Sequence, residues 1–423
     1  MRFTTLDQWL EWQAGLHPRL IDPGLERVGQ VADLLRLRPA AVPIITVGGT
    51  NGKGSSVALL EAMLRAAGYS TGAYTSPHLL RYNERIRLNS QDATDDSIMA
   101  AFDAIDQARG GISLSYFEFG TLAALWLFRE YGVGVVLLEV GLGGRLDAVN
   151  MMDADAALIT SIGLDHAEWL GREHDGIGRE KAGILRAGRP AVFAGEAIPG
   201  TIRSIAATLD VPLRVAHEDY DWQVHADGGW QWVAGDRARE DLPPPGLPGA
   251  MQYQNAAGVL AVLDTLSASL PVSDGAVRAG LQQVRLAGRL HERPGAVEWL
   301  FDVAHNADAV AVLAAEVERR PAAGRCHAVF GIMARKDLEP VLDAMTGHVD
   351  AWWPLVLPDQ DARPARDVAE ELQRRGEDVV AVGDPQALHG QLQATVQAGD
   401  RVLVFGSFRT VEEMMHVTGM ASA

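Results

Sequence analysis

The run Gly48-Gly49-Thr50-Asn51-Gly52-Lys53-Gly54-Ser55-Ser56 brings together glycines, one lysine and adjacent hydroxyls in a single turn. Glycines let backbone N–H groups approach phosphate oxygens, and a helix N-terminus adds a favourable partial charge. In that setting Lys53 reaches the β- and γ-phosphates of a nucleotide, and the Ser55 hydroxyl can ligate Mg²⁺. The spacing departs from the usual G-x-x-x-x-G-K-[ST], because Gly54 separates the lysine from the serine. The plain alternative is a glycine-rich turn with a solvated lysine.

Other residues invite chemistry less directly. Glu139 ends Val-Val-Leu-Leu-Glu-Val and precedes Gly141-Leu-Gly-Gly-Arg-Leu-Asp147. A carboxylate at the carboxyl end of a buried parallel strand points into the crevice where open α/β sheets bind ligands; the alternative is a structural salt bridge. Taken alone, His166 in Gly163-Leu-Asp-His-Ala-Glu168 reads as a hydrogen-bonded loop histidine. By the same standard Lys181 reads as a surface charge on a helix, and Asn255 as a helix cap or surface asparagine.

Positioning such residues requires strands that end at turns. Ile44–Val47 is β-branched and leads into the glycine run, followed by a helical stretch Ser55–Ala67 with Val57, Leu60, Leu64 and Ala67 on one face. Val135–Val140, Ala156–Thr160, Glu298–Phe301, Cys326–Phe330, Val379–Val382 and Val402–Phe405 read as strands. Phe117–Glu130, Ala307–Arg319 and Ala365–Arg375 read as helices between them. The alternation predicts an α/β chain with parallel sheets covered on both faces. Trp222, Trp230 and Trp232 fall in a predicted structural β-hairpin, and Trp352-Trp353 in a strand facing the core.

With 423 residues the chain is long enough for two or three domains. Composition allows a boundary at Pro243–Gly249, PPPGLPG, or near Gly288–Gly295, and does not choose between them. Asp and Glu total 55 against 37 Lys and Arg, a net charge of −18, which argues against a nonspecific nucleic-acid binder. Cys326 is the only cysteine, so no internal disulfide or thiolate zinc cluster can form, as suits a reducing cytoplasm. The N-terminus lacks the apolar core of a secretory signal, and Leu122–Phe128 and Val133–Val140 are too short to cross a bilayer. These features lead us to expect a cytoplasmic protein with no membrane and no nucleic-acid partner.

In chain order, GGTNGKGSS, YTSPHLLRYNERI (Tyr74–Ile86), SYFEFGT (Ser115–Thr121), LEVGLGGRLDAVN (Leu138–Asn150), GLDHAEWLG (Gly163–Gly171), EKAGI (Glu180–Ile184), DVAHN (Asp302–Asn306) and VFGSFRTV (Val404–Val411) resemble the folylpolyglutamate synthase/dihydrofolate synthase family of the Mur-ligase superfamily. The resemblance covers nearly the whole chain. It implies a P-loop, parallel-sheet N-terminal domain of the Mur-ligase type over residues 1–290 and a smaller Rossmann-like domain over 291–423 that closes over it. PPPGLPG then lies inside the first domain. The implied reaction is ATP-dependent ligation of L-glutamate to dihydropteroate or to reduced folates, by a monomer.

The same resemblance implies roles residue by residue. Gly52, Lys53, Gly54, Ser55, Ser56, Asn255, Arg289, Asp302 and His305 would contact ATP. Ser55, Ser76, Glu139 and His166 would surround a pair of Mg²⁺ sites, with Lys53, Glu139, His166 and Lys181 as the catalytic set. Lys181 matches a position where the family carries a carbamylated lysine. Around Arg289 the pattern departs locally: Ala287 stands where proline is usual, and His291 precedes Glu292. The pterin side would comprise Arg27 of DPGLERV, Ser115, Tyr116, Phe117, Glu118, Leu146, Asp147 and Ala148. Tyr116 and Phe117 either stack on an aromatic ring or join Phe119 in core packing. Arg81, Asn83 and Arg85 either order over the substrate or form solvated surface. A peptidoglycan-precursor ligase of the Mur type is disfavoured by GKGS and the pterin-side blocks. A noncatalytic nucleotide switch is disfavoured by the metal-site residues.

Overall fold

The computed structural model describes residues 1–19, 22–171 and 173–420. It forms two compact units. One contains Met1–Gly163, Leu170–Gly246 and Gln252–Arg285; the other contains Leu164–Trp169, Leu247–Met251 and Leu286–Ala423. The PPPGLPG run therefore spans a crossing of the chain: it belongs to the first unit up to Gly246 and to the second from Leu247.

The first unit is built on an eight-stranded sheet: β1 (Ile44–Gly48), β2 (Thr71–Tyr74), β3 (Ile86–Leu88), β4 (Gln91–Asp92), β5 (Val135–Glu139), β6 (Ala156–Ile159), β7 (Ala191–Phe193) and β8 (Leu213–Val215). Their spatial order is β4-β3-β2-β5-β1-β6-β7-β8. From β2 to β8 all neighbours pair in parallel, and β3 and β4 add an antiparallel edge. Strands β1, β2, β5 and β6 are buried throughout, as expected where helices cover both faces. The helix after β1 runs Lys53–Ala66, starting two residues before the predicted Ser55 because Gly52 already turns the chain at φ +87. Leu59, Leu60, Met63 and Leu64 of this helix are fully buried; each such side chain contributes about 1.5–3 kcal/mol by leaving water. Three antiparallel strands, β9 (Asp221–Val224), β10 (Trp230–Ala234) and β11 (Arg237–Leu242), extend the expected tryptophan hairpin by one strand.

The second unit holds β12 (His291–Arg293), β13 (Glu298–Phe301), β14 (Cys326–Phe330), β15 (Ala351–Pro354) and β16 (Arg401–Phe405), ordered β12-β13-β16-β14-β15. All pairs are parallel except β12 with β13. Helices Ala307–Arg319, Leu338–Met345, Ala365–Arg374 and Phe408–Val417 alternate with the strands, which makes this a smaller Rossmann-like layer. Trp352 and Trp353 are buried, as expected. Val379–Val382 does not form the predicted strand. It touches β15 through isolated bridges, Trp352 with Val379 and Leu355 with Gly383, and Val380 and Val382 face solvent. β-branched residues favour extended backbone, but at the sheet margin no described residue covers the outer face of Val380 and Val382. Among the described residues no helix is long and apolar enough to cross a membrane.

Candidate active site

The parallel register sets the site in the first unit. Val47 of β1 pairs with Glu139 of β5, and Tyr74 of β2 with Leu138. The carboxyl ends of β1, β2 and β5 therefore lie along one edge of the sheet, where an open α/β sheet presents ligand-binding groups.

The glycine loop leaves β1 at that edge and is fastened to the end of β6. Thr50 N donates to Ser161 O (2.9 Å), and Asn51 N donates to Ser161 Oγ (2.9 Å). Thr160 Oγ1 donates to Asn51 O (2.6 Å), and Thr50 Oγ1 exchanges hydrogen bonds with the Gly163 carbonyl and amide. Gly49 has φ +146, and a Cβ there would collide with Thr160 Oγ1. Lys53 Nζ lies back over the loop, donating to Gly49 O and Thr50 O at 3.0 Å each. Ser55 and Ser56 are buried in the first helical turn, and Ser56 Oγ has no hydrogen-bond partner among the described residues. Asn255 is buried on Met251–Thr265, against the surface position expected from its sequence alone; it donates to Gln252 Oε1 (3.0 Å) and overhangs Gly52.

At the end of β5, Glu139 is buried and accepts from Ser76 N (3.2 Å), so two residues of the expected metal set meet here. A hydroxyl and a carboxylate are hard oxygen donors of the kind Mg²⁺ takes when phosphate oxygens and water complete its shell. Among the described residues there is no group of three or more His, Cys, Asp or Glu side chains that could hold a metal ion. Asp147 accepts from Leu142 N (2.8 Å) and Val149 N (3.1 Å), bracing the loop after β5. Burial pushes its carboxyl up to about 6, against those amides, the Gly141 amide and the charge of Lys53. Lys181 sits on the helix His174–Ala182 and is 3% exposed, not on the surface as its sequence suggests. Its helix is tied to the glycine loop after β5: Arg145 N donates to Glu180 O (2.8 Å), and Asn150 Nδ2 to Gly183 O (2.9 Å).

The expected pterin-side residues also converge. Ser115 caps the helix Tyr116–Glu130 in a reciprocal box with Glu118: Ser115 N donates to Oε2 (2.7 Å) and Glu118 N to Ser115 Oγ (3.3 Å). Arg27 then joins Glu118 Oε1 (3.1 Å) to Asp22 Oδ2 (2.6 Å), bringing DPGLERV to this helix start. Burial opposes ionisation of Asp22, but Arg27, His17 and Arg19 outweigh it and hold the carboxyl below its ordinary range. Phe119 is core, whereas Tyr116 and Phe117 are half-buried, with Phe117 against Gly141 and Tyr74. Leu146 is half-buried and Ala148 buried beside Asp147.

The second unit carries the remaining candidates. Asp302, at the end of β13, accepts from Leu290 N (2.9 Å) and Ala304 N (2.8 Å), and its carboxyl is raised by burial despite the charge of Arg289. Arg289 lies over Phe408, 5.5 Å from the ring centre. His166 belongs to this unit, on Leu164–Trp169, with φ +52. Its neighbour Asp165 is the hub that the sequence analysis missed. Asp165 pairs with Lys336, accepts from Asn306 Nδ2 (3.2 Å) and His166 N (2.7 Å), and lies 3.4 Å from His305 Nε2. Burial works against its charge, yet His305, Lys336 and His166 hold it far below the usual carboxylate range. Burial draws Lys336 down, with Asp165 opposing. Asp-His in the loop after β6 was the one available signal; nothing in the sequence links it to a lysine 171 positions away.

A glycine-rich loop at the end of a parallel sheet and a smaller Rossmann-like unit in the same chain are the two-domain fold of the Mur-type ligases, and residues 288–408 match the family described as Mur ligase, glutamate ligase domain. The dihydrofolate synthase/folylpolyglutamate synthase of Escherichia coli K12 is 41% identical over 413 residues, covering 97% of this chain and 95% of the relative. The same-named protein of Haemophilus influenzae is 38% identical, covering 97% of each. E. coli FolC in complex with DHPP and ADP superposes with a TM-score of 0.93 at 40% identity over 99% of each chain. The Yersinia pestis bifunctional enzyme complexed with AMPPNP and Mn ion gives 0.91 at 41% identity over 98% of each. The chain belongs to the dihydrofolate synthase/folylpolyglutamate synthase family. It is an ATP-dependent ligase.

Proposed function

We propose that this protein joins L-glutamate to dihydropteroate, giving dihydrofolate, and to the γ-carboxylate of reduced folates, lengthening their tail. A carboxylate is a poor electrophile, so its oxygen must first become part of a better leaving group. The substrate carboxylate oxygen attacks the γ-phosphorus of ATP, ADP departs, and an acyl phosphate forms. The glutamate amine then adds to the carbonyl carbon, loses its proton, and inorganic phosphate leaves with the original carboxylate oxygen.

Gly52, Lys53, Gly54, Ser55 and Ser56 hold the phosphates, and Lys53 offsets charge as the phosphoryl group moves. Asn255 meets the base side of the nucleotide, and Arg289, Asp302 and His305 contribute from the second unit. Ser55, Ser76, Glu139 and His166 would hold Mg²⁺, which offsets negative charge on the phosphates. Arg27, Ser115–Glu118 and Leu146–Ala148 receive the pterin, where a neutral Asp147 carboxyl can donate and an ionised one can accept. Carbamylated Lys181 would place an anion beside the metals. The domain reading, residues 1–290 for ATP and pterin and 291–423 for the ligase domain, and a cytoplasmic monomer belong to the same proposal.

The observation carrying this reading is the pairing of Val47 with Glu139, which sets the phosphate loop and a buried carboxylate side by side. The test is phosphate release from ATP with glutamate and either dihydropteroate or tetrahydrofolate. Release with either acid supports the reading, and ¹⁸O passing from the carboxylate to phosphate supports the acyl phosphate. No nucleotide consumption with any acid overturns it.

A further inference from the structure

Arg85 closes the short 3₁₀ turn Tyr82–Arg85, in the first unit. The arginines on either side of it have carboxylate partners: Arg81 pairs with Asp95 and Arg87 with Glu61. Arg85 makes no ion pair among the described residues. Its guanidinium lies 5.5 Å from the centre of the Tyr82 ring and 5.6 Å from that of Tyr116, and these rings meet edge to face at 5.7 Å. Arg85 Nε donates to His78 Nδ1 (2.7 Å).

Two aromatic faces and a histidine thus hold a half-buried cation in a fixed plane while leaving its charge uncompensated. A guanidinium held this way is preorganised for a carboxylate, whose two oxygens match its fork of donors. The surroundings agree. Tyr116 stands at the expected pterin side, and Arg85 also acts on Tyr74, which contacts Phe117 and feels the charge of Asp147. His78 lies two residues beyond Ser76, whose amide meets Glu139.

We propose that Arg85, clamped by Tyr82, Tyr116 and His78, binds a carboxylate of the acid substrate. Dihydropteroate offers only the reacting carboxylate, whereas a folate offers the tail α-carboxylate as well. This assignment rests on the ligase reading above.

The experiment measures KM for dihydropteroate, tetrahydrofolate, ATP and glutamate in the full-length protein and in Arg85→Gln and Arg85→Lys, with ADP affinity as a check on folding. Arg85→Gln is expected to raise KM for acid about 10- to 100-fold, and Arg85→Lys less, with ATP and glutamate within about twofold. A rise for both acids assigns the reacting carboxylate, and a rise for tetrahydrofolate alone assigns the tail. If Arg85→Gln does not fold, equilibrium binding of both acids to Arg85→Lys in the presence of ADP decides, and unchanged affinity overturns the proposal. Unchanged KM for both acids in a folded Arg85→Gln also overturns it, leaving Arg85 as a brace for the tyrosines. Wild-type protein inactive with both acids would instead refute the ligase reading.

Discussion

Asn255 Oδ1 lies over Gly52, so that any Cβ at position 52 would run into it. The glycine is also needed for its backbone, at φ +87 at the head of the helix Lys53–Ala66. Position 52 therefore has neither the torsional freedom nor the space for a side chain.

Gly52→Ala is expected to cost about 1–3 kcal/mol of stability and to weaken ADP binding at least tenfold. Adding Asn255→Ala relieves the collision but not the torsion, so it restores part of the stability. Urea denaturation and ADP titration check this; an alanine variant with unaltered ADP affinity contradicts it.

Lys336→Met leaves Asp165 buried without its cation, and such a break costs about 3–5 kcal/mol. Pairing it with Asp165→Asn should cost less than the two changes summed. Because the Asp165 carboxyl is held far below its unfolded value of 3.8, its contribution is complete above that pH and is lost as pH falls below it. Denaturation midpoints between pH 3 and 7 should show this acid-side loss in the wild type and a smaller one in Asp165→Asn.

Asp147 works in the opposite sense. The unfolded carboxyl releases its proton near 3.8 and the folded one near 6, so this group subtracts stability as pH rises through that window. The difference amounts to about 3 kcal/mol. Asp147→Asn should flatten the stability profile between pH 4 and 6, and a carbonyl ¹³C titration of Asp147 should show its midpoint near the upper end.

Lys181→Ala is expected to lower phosphate release about a hundredfold, with partial rescue by acetate or propionate, if the working group is an anionic carbamate. Active protein labelled with ¹³C-bicarbonate should show a carbamate carbon. Absence of both the signal and the rescue rules the modification out.

The elements around the glycine loop at residues 48–56 were legible because each rests on local pattern: β-branched strands, glycines at turns, a helical apolar face. What stayed hidden depends on distant partners. By local pattern alone Lys181 and Asn255 read as surface residues, and only the family resemblance points to a site for them; packing encloses both. Local pattern gives no sign that Arg27 meets Glu118; only the family resemblance groups them, and one guanidinium links the two blocks 91 positions apart. Val379–Val382 shows the converse: strong local preference for a strand, and no neighbour on its outer side to complete one.

The scattered membership of the second unit bears on how the molecule can be divided. Severing the chain before Leu286 would separate Lys336 from Asp165, and Glu316 from the Ala250 amide it accepts from. The C-terminal piece would then lack the carboxylate that Lys336 pairs with. It is not a portable module: Leu164–Trp169 and Leu247–Met251, encoded far upstream, must already be present for it to finish its interior.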